Sequence, residues 1–153
     1  LRFAARFGPT RRLSEKVASA RFASLMSMTL ASGYDTDEAL KMIPSVIPSE
    51  TVSRKIQQTR RNVEAGNSFA KALDAAQMFP GIYSSMIRLG AEAGRLDAVM
   101  KRLAEIYTDD AENSINRAVA IIEPVMVALL SVVIGAILLA VMLPLMGVLS
   151  SIG

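Results

Sequence analysis

The chain contains no cysteine and no histidine in its 153 residues. Without cysteine there is no thiol nucleophile, no thiolate metal ligand and no disulfide, so redox compartment leaves no trace in the sequence. Without histidine, imidazole bases and imidazole metal ligands are absent too. The alternation of apolar and polar residues that marks a half-buried strand occurs nowhere, and no tract is low-complexity. The glycines at 66, 81, 90 and 94 are not followed by Lys-Ser or Lys-Thr at the spacing of a phosphate-binding loop. The net charge of +3, from 17 Lys plus Arg and 14 Asp plus Glu, is too small to point to nucleic acid.

Charge is also missing from the C-terminal end. Across residues 118–152 Glu123 is the only charged side chain, and residues 125–143 run nineteen long with Ser131 as the only polar one. A helix needs about 20 apolar residues to cross a bilayer core about 30 Å thick. The core helix of a soluble protein shows a polar stripe, and a chain this size rarely surrounds so long an apolar helix on every side. The sequence therefore predicts a transmembrane helix over 124–148 and a short tail, 149–153. Small residues recur four apart, Ser131 with Gly135 and Ala136 with Ala140, a spacing that lets another membrane helix approach closely. Pro124 either kinks the passage into the span or opens a new helix at its first turn.

All the charge lies before the span. Residues 1–12 form a basic lead-in: six bases and one acid lie between Arg2 and Arg21. Such a run suits lipid headgroups beside a membrane and equally suits a solvated helix end. The chain starts at Leu1 rather than Met, as expected of a piece of a longer protein, with residues 1–7 as the exit from an earlier span. Residues 13–123 read as an all-α bundle of six helices. The first, 13–32, follows a break at Gly8-Pro9 and repeats Val17, Ala18, Phe22, Leu25, Met26, Thr29 and Leu30 at helical spacing. It is apolar round much of its circumference, so it is expected at the bundle centre, with Gly33 as its stop. Asp35 can cap a short second helix holding Ala39, Leu40 and Ile43, which Pro44 ends. A third helix, 50–65, opens after Pro48-Ser49. Its apolar stripe is thin (Val52, Ile56, Val63), so it is expected at the outside. Asn67 or Ser68 caps a fourth helix with Phe69, Ala72 and Leu73. A fifth, 82–93, is expected to bury Met86, Ile87 and Leu89, with Gly90 and Gly94 marking close packing or a stop. The sixth is long: Leu96, Val99, Met100, Leu103, Ile106 and Tyr107 form its core face, and Ile115, Val119 and Ile122 continue it towards the span.

Candidate functional groups are few. Asp109, Asp110 and Glu112 can do acid–base work or hold a divalent cation, although a solvated helix face is the plainer reading. Four positive charges, Arg54, Lys55, Arg60 and Arg61, stand within eight residues. They can meet acidic lipid headgroups, a partner protein or a second copy, or simply water. Glu92 and Asp97 can bind a cation or a partner's arginine, and Asp97 equally favours the first turn of the sixth helix. Nothing here assembles a catalytic site.

Several local signals follow one another in a fixed order. They are Leu30-Ala31-Ser32-Gly33 with Glu38-Ala39-Leu40, then Gly66-Asn67-Ser68-Phe69-Ala70-Lys71-Ala72-Leu73, then Phe79-Pro80, then Gly90-Ala91-Glu92-Ala93-Gly94-Arg95-Leu96-Asp97. Ile122-Glu123-Pro124 then leads into the apolar run, with Leu143-Pro144 near its end. This order resembles the type II secretion system F domain, the repeated unit of the platform proteins of type II secretion and type IV pilus assembly. The likeness covers about residues 12–146. It implies a multi-pass protein of the bacterial inner membrane with two cytoplasmic six-helix bundles, this chain being the second bundle plus the last membrane helix. It implies a non-enzymatic scaffold without cofactor or metal. The implied partners are the assembly ATPase, pilin or pseudopilin subunits, other inner-membrane assembly proteins, membrane lipid and further copies of itself. The family pattern Gly-Glu-x-Ser/Thr-Gly is broken here by Ala91 and Ala93, which leaves Glu92, Arg95 and Asp97 as contact candidates there. Pro124, Ser131, Gly135, Ala136, Ala140 and Pro144 are the candidates for packing in the membrane. Half of a transporter or channel is the alternative. It predicts charges or broken helices inside the membrane, and the span has only Glu123 and Pro124 at its edge. A membrane-tethered enzyme would need a pocket of perturbed groups, and the inventory offers only carboxylates, Lys, Tyr and Ser.

Overall fold

The computed structural model describes residues 8–153; the reading of residues 1–7 as the exit from an earlier span lies outside the described residues. Six α-helices follow in order: α1 Gly8–Ala31, α2 Thr36–Met42, α3 Glu50–Glu64, α4 Phe69–Ala75, α5 Ser84–Glu92 and α6 Leu96–Ile152. Short 3-10 turns at Ile43–Val46 and Gly81–Tyr83 precede α3 and α5. The fold is all-α, with no strand among the described residues. The chain divides into two compact units, Leu1–Asn113 and Ser114–Gly153.

In the first unit the caps fall where the side chains allow them. Asp35 Oδ1 accepts from the Glu38 amide at 2.9 Å, Ser49 Oγ from Val52 and Ser68 Oγ from Lys71, each satisfying an N–H that its helix leaves unpaired. α1 starts at Gly8 and not at residue 13. Pro9 lies in its first turn, where a missing N–H costs nothing, so the expected break is absent. The core is built from Ala18, Phe22 and Met26 of α1, Leu40 of α2, Val52 and Ile56 of α3, Phe69 and Leu73 of α4, Ile87 of α5, and Met100 and Leu103 of α6. An aromatic chain runs through it: Phe22 to Phe79 at 6.2 Å, Phe79 edge-on to Tyr107 at 5.3 Å, and Tyr107 to Tyr83 at 6.2 Å. Such pairs add about 0.5–1.5 kcal/mol each beyond area burial.

Two expectations are corrected. Val17 is exposed, so the apolar girth of α1 is narrower than its sequence implies. α3 packs one face against α1, α2 and α4 and leaves Arg54, Gln57, Gln58 and Arg61 exposed on the other side. Thr59 completes its buried stripe, three residues after Ile56, and its hydroxyl donates to the Lys55 carbonyl at 2.9 Å, which lets a polar residue sit in the core. Leu89 is 60% exposed, whereas Ile87 is buried. Two residues apart on a helix point about 200° apart, so both cannot face one core. Gly90 takes the buried place instead, because a Cβ there would lie 2.4 Å from Val99 Cγ2 of α6. The stop after α5 is Gly94, at φ +66°, a conformation glycine adopts without strain. Close packing and stop, alternatives in the sequence, are divided between the two glycines.

The second unit is the remainder of α6. Helical structure runs unbroken from Leu96 to Ile152 with Pro124 and Pro144 inside it, so neither proline opens a new helix. Each proline lacks an N–H and leaves the carbonyl four residues earlier, Ala120 and Ala140, without its helical donor. α6 is the one helix among the described residues that is long and apolar enough to cross a membrane, and none of its most apolar window is buried.

Candidate partner-binding surfaces

The basic residues of α3 do not share a face. Arg54 and Arg61 are exposed and seven residues apart, which places them on one side of the helix. Arg60 is half-buried and leans along the helix, with Nε 3.2 Å from Glu64 Oε1 at an angle short of a hydrogen bond. Lys55 turns the other way and its Nζ donates to the Gln77 carbonyl at 2.8 Å, just past the end of α4. Gln58 Nε2 reaches the Ala75 carbonyl beside it at 3.4 Å. A cation at a helix C-terminus meets the negative end of the dipole, so Lys55 helps to hold α3 onto α4. Sequence reasoning missed that role. The visible signal was a lysine and a glutamine three apart on one face, but the carbonyls they reach are set by tertiary structure.

Glu92 ends α5, Arg95 lies in the turn, and both are exposed. Asp97 is partly buried in the first turn of α6, where a carboxylate suits the helix N-terminus. None of the three side chains makes an ion pair or hydrogen bond with another described residue. No group of three acidic residues that could hold a metal ion is found among the described residues, the stretch from Asp109 to Glu112 included.

On the apolar part of α6, Ser131 Oγ donates to the Val127 carbonyl at 2.8 Å, so its hydroxyl needs no partner from outside the helix. Gly135 has open space where a Cβ would stand. Ala136 and Ala140 are exposed, as are Pro124 and Pro144.

The chain is thus an all-α bundle whose last helix is long, apolar and unburied in its most apolar window. The family model for Type II secretion system (T2SS), protein F matches residues 22–144, and the chain belongs to that family. It is 32% identical over 138 residues to the type IV pilus assembly protein PilC of Myxococcus xanthus, covering 90% of this chain and 32% of that protein. It is 29% identical over 134 residues to the PilC of Thermus thermophilus, covering 87% and 33%. With the type II secretion system protein F of Aeromonas hydrophila it shares 29% over 135 residues, covering 88% and 35%. The chain thus spans about a third of the length of these curated relatives.

Proposed function

We propose that this chain is part of a non-enzymatic inner-membrane platform for type IV pilus assembly or type II secretion. In this reading the bundle lies in the cytoplasm and the apolar part of α6 lies in the bilayer. The observation that carries it is a single family match running across both the bundle and the apolar helix, residues 22–144. An exposed apolar surface that long is unstable in water and stable in lipid. The partners it implies are a cytoplasmic assembly ATPase, pilin or pseudopilin subunits in the membrane, other inner-membrane assembly proteins and further copies of the same protein. α6 supplies a plain mechanical route, because it is one helix from the bundle core to its apolar end. In the parent bacterium, deleting the codons for residues 22–144 from the full-length gene is expected to abolish either surface pili or release of secreted proteins. A deletion strain with both at wild-type level contradicts the reading.

The exposed pair Arg54 and Arg61 is the part of the basic set open to a partner. Exposed charges contribute little to stability. The double reversal Arg54→Glu with Arg61→Glu is therefore expected to leave the melting temperature within a degree or two and to lower pilus or secretion output several-fold. Normal output from the folded double variant would leave these arginines as solvated surface. The span is expected to pack on other membrane helices through Ser131, Gly135 and Ala136. Gly135→Leu should weaken assembly of the full-length protein without unfolding the bundle. Intact assembly and output would show that this face meets only lipid.

A further inference from the structure

α5 turns one side to the core, where Ile87 and Gly90 are buried and Gly90 lies against Val99 of α6. Its opposite side is apolar as well. Ile82, in the 3-10 turn that leads into α5, is 80% exposed, more than any other large apolar side chain of the bundle. Leu89, seven residues on, is exposed too. Seven residues are close to two helical turns, so the two share a face. Ser85 and Ala93 are exposed beside them, and Met86 is half-buried at the edge. One flank of this face carries Arg88 and Glu92, both exposed. They stand four apart, but with the base first, the weaker order for a pair along a helix. Neither makes an ion pair or hydrogen bond with another described residue.

An apolar strip with one open base and one open acid on the same flank is complementary to itself. We infer that α5 pairs antiparallel with α5 of a second copy, about a two-fold axis near Leu89. The two leucines then meet, and Arg88 of each copy lies opposite Glu92 of the other, so one patch supplies two ion pairs. A partner of a single charge would match one of these side chains and repel the other. The strip is small: the nine residues of α5 span about 14 Å, far less than an interface of about 800 Å² per partner requires. Copies free in solution therefore pair weakly, whereas copies held in one bilayer meet at high effective concentration. The inference thus rests on the reading of α6 as a membrane helix, and it gives the further copies in that reading their contact surface.

The chain has no cysteine, so one introduced thiol reports the contact alone. The full chain is reconstituted in liposomes, floated on a density gradient and oxidised with copper phenanthroline. Leu89→Cys is expected to form disulfide-linked dimer at least fivefold faster than Met28→Cys. Met28 lies on α1 and is 63% exposed, so its thiol reports random collision. In the Leu89→Cys chain, Arg88→Glu or Glu92→Arg alone sets like charges together and should slow the cross-link several-fold. The exchange, Arg88→Glu with Glu92→Arg, should restore it. Equal rates for Leu89→Cys and Met28→Cys in a chain that floats would overturn the inference and leave the membrane reading standing, with the face meeting lipid or another protein. Single reversals without effect, or an exchange that fails to restore the cross-link, would overturn it in the same way. A chain that does not float would overturn both. If circular dichroism shows Leu89→Cys unfolded, Ser85→Cys with Ala93→Cys, which the antiparallel register sets across from each other, is judged by the same criteria.

Discussion

Leu103→Ala is expected to cost the bundle about 2–5 kcal/mol, the range for truncating a fully buried leucine where the surroundings cannot collapse. Leu103 has no exposed surface, and it shares the core with Phe22, Ile56 and Met100, all equally buried. These side chains come from three helices, so the hole opens where none of them can close it alone. For a unit of this size, 1 kcal/mol moves the midpoint by about 4–8 °C. Thermal unfolding of the full chain in detergent, followed by circular dichroism, should fall by about 10 °C or more. Only the bundle's part of the signal should move, since the apolar part of α6 remains helical in the micelle. Arg102→Ala one residue earlier, on an exposed side chain paired with Glu105, is the control and should move it by about 0.5 kcal/mol or less. An unchanged midpoint in Leu103→Ala would mean that the core face of α6 is rotated from the one described.

The second large effect lies in the other unit. Ile134 stands near the middle of the nineteen-residue run and is exposed. An arginine at the centre of a membrane helix costs about 2.5–3.5 kcal/mol on insertion scales, roughly a hundredfold or more in the insertion equilibrium. Ile134→Arg is therefore expected to shift most of the protein out of the carbonate-resistant membrane fraction. Ile134→Leu should leave it there. Equal membrane retention of the two would show that this helix is not held by the hydrocarbon core.

Secondary structure was legible because the punctuation is local. Asp35 sits at the cap the sequence assigns it, Ser68 takes the cap that the sequence leaves between it and Asn67, Ser49 caps the helix expected to open after it, and Gly94 ends α5 with its positive φ. The sixth helix's face was legible in part, since a 3.6-residue period picks out Met100 and Leu103 without any knowledge of their neighbours. What failed depends on partners far along the chain. Thr59 reads as polar until its hydroxyl is seen to satisfy the Lys55 carbonyl. Leu89 reads as core until the close approach of Gly90 to Val99 fixes which side of α5 is inward. Pro124 reads as either a kink or the start of a new helix, and the unbroken helix excludes the second. The candidate surface suffered in the same way. Four adjacent positive charges look like one patch in sequence, but Lys55 and Arg60 are drawn to Gln77 and Glu64, and only Arg54 and Arg61 stay open together.

In the proposed topology the charged bundle and the end of the apolar helix lie on opposite sides of a bilayer. Within residues 1–153 every lysine and arginine precedes residue 118, the bias that the positive-inside rule associates with a cytoplasmic bundle. The most direct measurement fuses two reporters in turn after Gly153 of the full-length protein in living cells. One is a phosphatase active only outside the cytoplasm; the other is a fluorescent protein that matures only within it. The account predicts an active phosphatase and a dark fluorescent fusion. A bright fluorescent fusion with an inactive phosphatase, both made at normal levels, would contradict it.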